Sequence, residues 1–254
     1  MLIKNNFILT LAHPNPILSG LPPEAGRSDS PIRYIQFHKH INYMIQDYVK
    51  NYINAINDPL PEMKATFTAE FNFLRQYIKP NYTILDVGCG AGRPAGALAS
   101  LCKKIIGIDN DSKMLSEAKK RCSNIEIING NALNMKFKDN TFDLVYTTYN
   151  LVGCLKKSER QNLINEMKRV VKPTSKIINI VWKNDKNTTA FLSKYYPSIG
   201  IDILKINEAK TITSTGVFER ISRDELLGYY KAAGINEIKF LGVGPVWLAI
   251  IGSK

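Results

Sequence analysis

The run Ile84-Leu85-Asp86-Val87-Gly88-Cys89-Gly90-Ala91-Gly92 constrains the fold of this chain more than any other stretch. Its apolar start reads as a buried strand. An acid closes the strand, and glycines follow at every second position before an alanine-rich helical segment. Glycine lets the backbone turn sharply and lets another molecule approach with no Cβ in the way. In an open parallel sheet such a turn lies beyond the carboxyl ends of the strands, where ligands bind near the reversal of strand order. The strand thus delivers Asp86 to that end, and the next helix points its free N–H groups at the same place. The motif alone is shared by many nucleotide folds. Its third glycine comes one residue earlier than in the dinucleotide fingerprint G-x-G-x-x-G.

The rest of the chain supplies the context. After TILDVG come a helix (RPAGALASLC), a strand (KIIGID), a helix (SKMLSEAKKRC) and a third strand (IEIING). A fourth strand (FDLVYTT), a helix (SERQNLINEMKRVV) and a fifth strand (KIINIVW) continue the alternation. Residues 184–221 are less regular; SRDELLGYYKAAG is then a helix, and IKFLGVG and PVWLAIIG are two closing strands. Strands alternating with helices predict an α/β fold with a doubly wound, mainly parallel seven-stranded sheet. The last two strands, with no helix between them, are expected to pair antiparallel at one edge.

Ahead of this unit, residues 1–31 are rich in proline and glycine and read as an arm. From Pro31 an amphipathic helix places Tyr34, Phe37, Ile41, Ile45, Tyr48 and Tyr52 on one face, and NDPLP breaks it. A second helix, about 62 to 78, completes a helical cap over 32–80, with the main domain over 81–254. The short apolar patch near the N-terminus is broken by proline, against a signal peptide, and no run is long enough to span a membrane. Cys89, Cys102, Cys122 and Cys154 show no CxxC spacing, so no metal site is expected and a reducing, cytoplasmic setting fits. The net charge of +12 raises nucleic acid as a partner. The excess is mostly lysine at element ends, where solvated charge is ordinary.

Taken in order, the motifs resemble the class I S-adenosylmethionine-dependent methyltransferases across roughly residues 62–254. ILDVGCGAG looks like their glycine loop, IGIDND like the segment whose acid holds the ribose, and GNALNMKF like the Gly-Asp-Ala segment at the adenine. FDLVYTT resembles the fourth strand and RVVKPTSKIINI the helix-turn-strand that follows. The resemblance implies S-adenosylmethionine as cofactor. With Asp86 at the strand end, it puts Gly88, Cys89, Gly90 and Gly92 along the methionine and ribose part. Asp109 would hold the ribose, Asn110 and Met114 flank the adenine, Asn131 and Ala132 cover its edge, and Thr147 lie near the sulfonium. Asn131 stands where relatives usually have an acid, and its amide oxygen can still accept from an adenine amino group. Thr174-Ser175 replaces a glycine pair in the turn. The glycine spacing, the Gly-Asn-Ala segment and the closing strand pair all speak against a nicotinamide dehydrogenase.

Methyl transfer from a sulfonium mainly needs alignment and exclusion of water, with a base where the acceptor must lose a proton. The end of the fourth strand, TTYNLVGCL, lacks both the Asn/Asp-Pro-Pro-Tyr of amide and adenine methyltransferases and the Pro-Cys of cytosine enzymes. That weakens the nucleic-acid reading. Tyr149 and Asn150 are candidates for the acceptor wall, or merely begin a loop. His38, on the apolar face of the first helix, is the candidate catalytic base; a plain core histidine is its alternative. Residues 184–221, with Tyr195, Tyr196, Phe218 and Glu219, are a candidate acceptor cover. The expected function is methylation of a small molecule at oxygen or nitrogen. The alternatives are an RNA or protein methyltransferase and a non-catalytic cofactor-binding partner subunit.

Overall fold

The computed structural model describes residues 49–57 and 59–254. His38, the arm 1–31 and residues 32–48 of the cap lie outside the described residues. The first described helix, α1, covers 49–57. Pro59 and Leu60 precede α2 (Pro61–Leu74), which starts with proline in its first turn, where no N–H is needed.

From here strand and helix alternate as the sequence indicates. The order is β1 (Thr83–Val87), α3 (Arg93–Leu98), β2 (Lys104–Asp109), α4 (Ser112–Arg121), β3 (Glu126–Asn129), β4 (Phe142–Thr147), α5 (Leu151–Cys154), α6 (Lys157–Val170) and β5 (Val171–Trp182). Then come α7 (Lys186–Ser198), the short strands β6 (Ile203–Ile206), β7 (Lys210–Thr213) and β8 (Gly216–Glu219), α8 (Arg223–Ala232), β9 (Asn236–Val243) and β10 (Trp247–Ser253). The main sheet has seven strands in the order β3-β2-β1-β4-β5-β10-β9. Its first five are parallel, and β10 is antiparallel to both β5 and β9. The final strand is therefore inserted beside β5, and its predecessor β9 forms the edge.

Burial on both faces explains the apolar strands. Ile84 of β1 joins a core with Leu74 of α2, Leu98 of α3 and Leu192 of α7, while its neighbour Leu85 joins Leu163 and Met167 of α6 and Leu226 of α8. Each such side chain contributes roughly 1.5–3 kcal/mol when fully buried. Helix α2 contributes Met63, Phe73 and Leu74 to the first of these cores, so this part of the cap is bonded to the sheet layer by packing.

Local signals set the helix ends. Asp111 caps α4, its carboxylate accepting from Lys113 N at 2.9 Å and Met114 N at 3.1 Å. Lys119, Lys120 and Arg121 fill the last turn of the same helix, where cations suit its dipole. One lysine cluster of the sequence is thereby a helix-end feature.

Two regions differ from the sequence reading. Residues 184–221 are regular: α7 is capped by Asp185, which accepts from Thr188 N at 2.7 Å, and β6-β7-β8 form an antiparallel meander. Strands of four residues are too short to show a clear alternation. The expected turn at Thr174-Ser175 lies inside the long β5, at a register shift against β4, with Thr174 at φ 65°. That left-handed conformation is disfavoured for a β-branched residue and would suit glycine.

Candidate functional site

The glycine loop leaves β1 at Val87 and is fastened to β2 by the N–H groups of Gly88 and Cys89, which both donate to the Ile108 carbonyl, at 2.8 and 3.1 Å. Gly88 and Gly92 adopt φ of 72° and 74°. A Cβ at Gly88 would stand 2.8 Å from Leu151 Cδ2, and one at Gly92 3.0 Å from Cys122 Sγ, so both conformation and space require glycine.

Asp109 ends β2 opposite this loop. Its Oδ2 accepts from Gly90 N and its Oδ1 from Asp111 N, each at 2.9 Å. Burial pushes this carboxyl above its ordinary value, while the two N–H groups oppose that shift. Each carboxylate oxygen keeps a second lone pair, so the acid can brace the loop and still accept from a vicinal diol. Asn110 beside it is exposed, and Met114 is buried against Ala91 and Tyr52. Tyr52, from α1, reaches over the loop: its hydroxyl is 3.9 Å from where a Gly90 Cβ would be. Cys89 is buried against Gly107 of β2, and burial pushes its thiol up, so it serves as packing. Asn131 is exposed, and its side-chain oxygen accepts from Leu133 N at 2.8 Å, closing the turn in which Ala132 lies.

Beneath the loop is a set of buried polar groups. Asp86 and Tyr146 are register partners on β1 and β4, both fully buried. Neither Asp86 oxygen nor the Tyr146 hydroxyl has a hydrogen-bond partner of good geometry. Burial holds the Asp86 carboxyl up at about 8; the Tyr146 hydroxyl and the Arg93 charge pull it down, and the Glu70 charge pushes it up. Arg93 follows Gly92, its guanidinium 4.0 Å from the Phe67 ring centroid and Nη2 2.5 Å from Oε2 of Glu70 on α2.

Thr147, expected near the reacting centre, faces the other way. Its hydroxyl donates to Asn179 Oδ1 at 2.7 Å, Asn179 Nδ2 donates to the Tyr230 hydroxyl at 2.7 Å, and that hydroxyl donates to the Ile250 carbonyl at 3.3 Å. Successive strand residues point to opposite faces, so it is Tyr146 that shares the face of Asp86.

The carboxyl ends of β4 and β5 and the start of β10 carry an aromatic cluster. The Tyr149 ring lies 5.5 Å from Tyr52 and 5.8 Å from each of Trp182 and Trp247, which stack on each other at 3.6 Å. Its hydroxyl pairs with that of Tyr195 on α7. Asn150, by contrast, is a clamp with 1 % exposure: Nδ2 donates to the Glu219 carbonyl at 3.0 Å, and Oδ1 accepts from Trp182 N at 3.2 Å. Of the cover candidates, Tyr195 joins the cluster, Tyr196 stacks on Phe218 at 5.4 Å, and Glu219 pairs with Arg160. A cavity of about 540 Å³ opens beside Tyr195, between α1 and α7, lined also by Asn51, Asn54, Asn57 and Ser198. Among the described residues no three His, Cys, Asp or Glu side chains are grouped to hold a metal ion.

Sequence reasoning missed Tyr146, Glu70, Arg93 and the two tryptophans. Only Tyr146 had a local signal, since it stands directly before the Thr147 that the resemblance selects.

Residues 84–174 match the family model of a methyltransferase domain. A demethylmenaquinone methyltransferase of Bacillus cereus (strain AH187) is 35 % identical over 109 residues, covering 40 % of this chain and 45 % of that protein. The same figures hold for a Bacillus anthracis (strain CDC 684 / NRRL 3495) protein of that name. The chain thus spans less than half the length of the curated relatives it matches. Among solved structures, a protein from Pyrococcus horikoshii OT3 superposes with a TM-score of 0.62 at 20 % identity, over 79 % of this chain and 95 % of that one. A SAM-dependent methyltransferase from Aquifex aeolicus gives 0.56 at 22 % identity, over 76 % and 93 %. At these identities the likeness is one of fold.

Proposed function

We propose that the protein, whose residues 84–174 match a methyltransferase-domain model, is a class I S-adenosylmethionine-dependent enzyme that moves the methyl group of S-adenosylmethionine to an oxygen or nitrogen of a small molecule. The observation that carries this is the pairing of a loop braced by Asp109 with an orphaned acid, Asp86, buried directly below it. A buried acid is costly to ionise unless an opposite charge completes it. The loop, Asp109 and Asp86 therefore fit a nucleoside with a cationic tail. Asp109 would accept from the ribose hydroxyls, Met114 and Asn110 would border the base, and Asn131 and Ala132 would border its edge.

When bound, the cofactor supplies an activated methyl group on a sulfonium, so the protein has to align the acceptor and exclude water. On the β4–β5–β10 side of the strand-order reversal the buried Trp182 and Trp247 back the half-buried Tyr149 ring, against which a flat or apolar acceptor would lie. Burial pushes the Tyr149 and Tyr195 phenols up, so both remain neutral and can orient an acceptor heteroatom by hydrogen bonding. His38 remains our candidate for the proton. The small-molecule character of the acceptor agrees with the Bacillus relatives being demethylmenaquinone methyltransferases. The four cysteines are free, which supports a reducing compartment such as the cytoplasm. Among the described residues no helix is long and apolar enough to cross a membrane.

Two measurements test the proposal together. S-adenosylhomocysteine, and not NAD, is expected to raise the melting temperature. Methyl-labelled S-adenosylmethionine incubated with the protein and cell extract is expected to label the low-mass fraction. No shift with S-adenosylhomocysteine would overturn the cofactor, and label confined to the heavy fraction would overturn the acceptor class.

A further inference from the structure

We propose that the cavity between α1 and α7 holds the methyl acceptor, and that this acceptor is a neutral molecule carrying several hydroxyl groups, one of which is methylated at its oxygen. The proposal rests on the methyltransferase reading above and narrows it to a substrate class.

The cavity, of about 540 Å³, has the size of a small-molecule site. Helix α1 lends it Asn51, Asn54 and Asn57, which at three-residue spacing stack along one side of the helix. Tyr195, Ser198 and Gly200 come from α7 and the residues after it, and the rest of the described lining is apolar. The polar groups are only partly used. Nδ2 of Asn51 makes a long contact of 3.5 Å with the Gly200 carbonyl, which leaves Oδ1 open. Asn57 is the converse, since its Oδ1 accepts from Arg121 and its Nδ2 is open. The Ser198 hydroxyl donates to the Tyr195 carbonyl at 2.7 Å and keeps its lone pairs. Asn54 is exposed, and its side-chain amide is unengaged among the described residues.

These open groups are of both kinds. Asn51 Oδ1 and Ser198 Oγ accept, Asn57 Nδ2 donates, and Asn54 does both. A carboxylate or phosphate only accepts and an ammonium only donates, so either would leave part of the set unused. Hydroxyl groups use all of it. Charge points the same way. The chain carries +12, yet among the described residues no charged side chain lines this cavity, and the Arg121 that bonds Asn57 borders a different one. Taking a charged ligand out of water with no opposite charge to meet it is costly. Tyr195 ties the cavity to the glycine loop: its hydroxyl pairs with that of Tyr149, whose ring lies 5.5 Å from the Tyr52 ring over that loop. The acceptor hydroxyl beside this phenol pair is the one that reacts. Its oxygen bonds the methyl carbon as the methyl–sulfur bond breaks and leaves its electron pair on sulfur, and the hydroxyl proton passes to His38, our candidate base, or to water.

The experiment passes the low-mass product labelled from methyl-labelled S-adenosylmethionine and cell extract over cation and anion exchangers at pH 7. The product is expected to pass both, and its fragmentation to place the label on an oxygen. Asn54→Ala, at an exposed helix position, is expected to raise the extract concentration that gives half-maximal rate by about two- to tenfold, the worth of one neutral hydrogen bond. Its plateau rate, and its affinity for S-adenosylhomocysteine by calorimetry, should match the wild type. A product retained on either exchanger, a label on nitrogen, or an Asn54→Ala protein indistinguishable from the wild type would overturn the hydroxylated acceptor and leave the methyltransferase reading intact. Label confined to macromolecules, or none from a protein that binds S-adenosylhomocysteine, would overturn the small-molecule acceptor altogether. Absence of both label and S-adenosylhomocysteine binding would overturn the methyltransferase reading as well.

Discussion

Asp86 is the residue where sequence, burial and chemistry meet most directly. With its carboxyl held up at about 8 by burial, it carries a proton at neutral pH in the ligand-free protein. Placing an ammonium beside it favours the carboxylate. Binding of S-adenosylhomocysteine at pH 7 is therefore expected to release close to one proton, and at pH 9 far less. Calorimetry in phosphate and in Tris separates the two cases, because the buffers differ in ionisation enthalpy; equal apparent heats at pH 7 would contradict the assignment. The same shift has a stability consequence. An acid whose pKa is raised by folding stabilises fully below its unfolded value near 4, and that contribution is lost as pH rises through about 8. The ligand-free melting temperature should thus fall between about pH 4 and 8 in the wild type, level off above that, and stay flatter in Asp86→Asn. Parallel curves for the two proteins would show that Asp86 is not the titrating group.

At the scale of elements, α5 and its preceding turn hold the acceptor side together. Tyr149 and Asn150 are consecutive left-handed residues, at φ 53° and 64°, and the second is of a type that tolerates this conformation. The amide of Asn150 joins the end of β5 to the end of β8, and the fit is tight: a Cβ at Gly153 would come within 2.1 Å of the Glu219 carbonyl. Asn150→Ala orphans one N–H and one C=O, at about 1–3 kcal/mol each. Urea unfolding is expected to show that loss; a variant of full stability and altered acceptor KM would restore Asn150 as a wall residue. The sequence revealed the seven main strands, their helices and the loop, because those carry long apolar runs and glycines at fixed spacing. It hid the four-residue strands of the meander. It hid the partnership of Glu70 with Arg93 too, because that contact joins residues far apart in the chain and neither position has an unusual neighbour. It gave no sign that the Thr147 hydroxyl bonds Asn179, because that contact also joins residues distant in the chain.

For the whole molecule, the division of labour follows the reversal of strand order between β1 and β4. The β1–β2 side carries the residues we propose for the cofactor, and the β4–β5–β10 side carries the aromatic cluster. The net charge of +12 belongs to neither. Lys104 pairs with Glu126 at 2.5 Å, Lys172 with Asp143 at 2.7 Å and Lys176 with Glu237 at 2.9 Å, and these pairs leave the excess itself unchanged. The cavity beside Tyr195 is bordered, among the described residues, by amides, hydroxyls and apolar groups, with no charged side chain. An acceptor entering there would not feel the excess charge as a row of contacts. The acceptor kcat/KM should then change by less than about twofold between 50 and 200 mM salt. An acceptor held through six to ten phosphates would lose about 10³- to 10⁵-fold affinity over the same range, because each neutralised phosphate releases counterions. A steep salt dependence would move the substrate to nucleic acid and give the lysines a purpose; a flat one leaves them as solvated surface and keeps the chemistry beside the aromatic cluster.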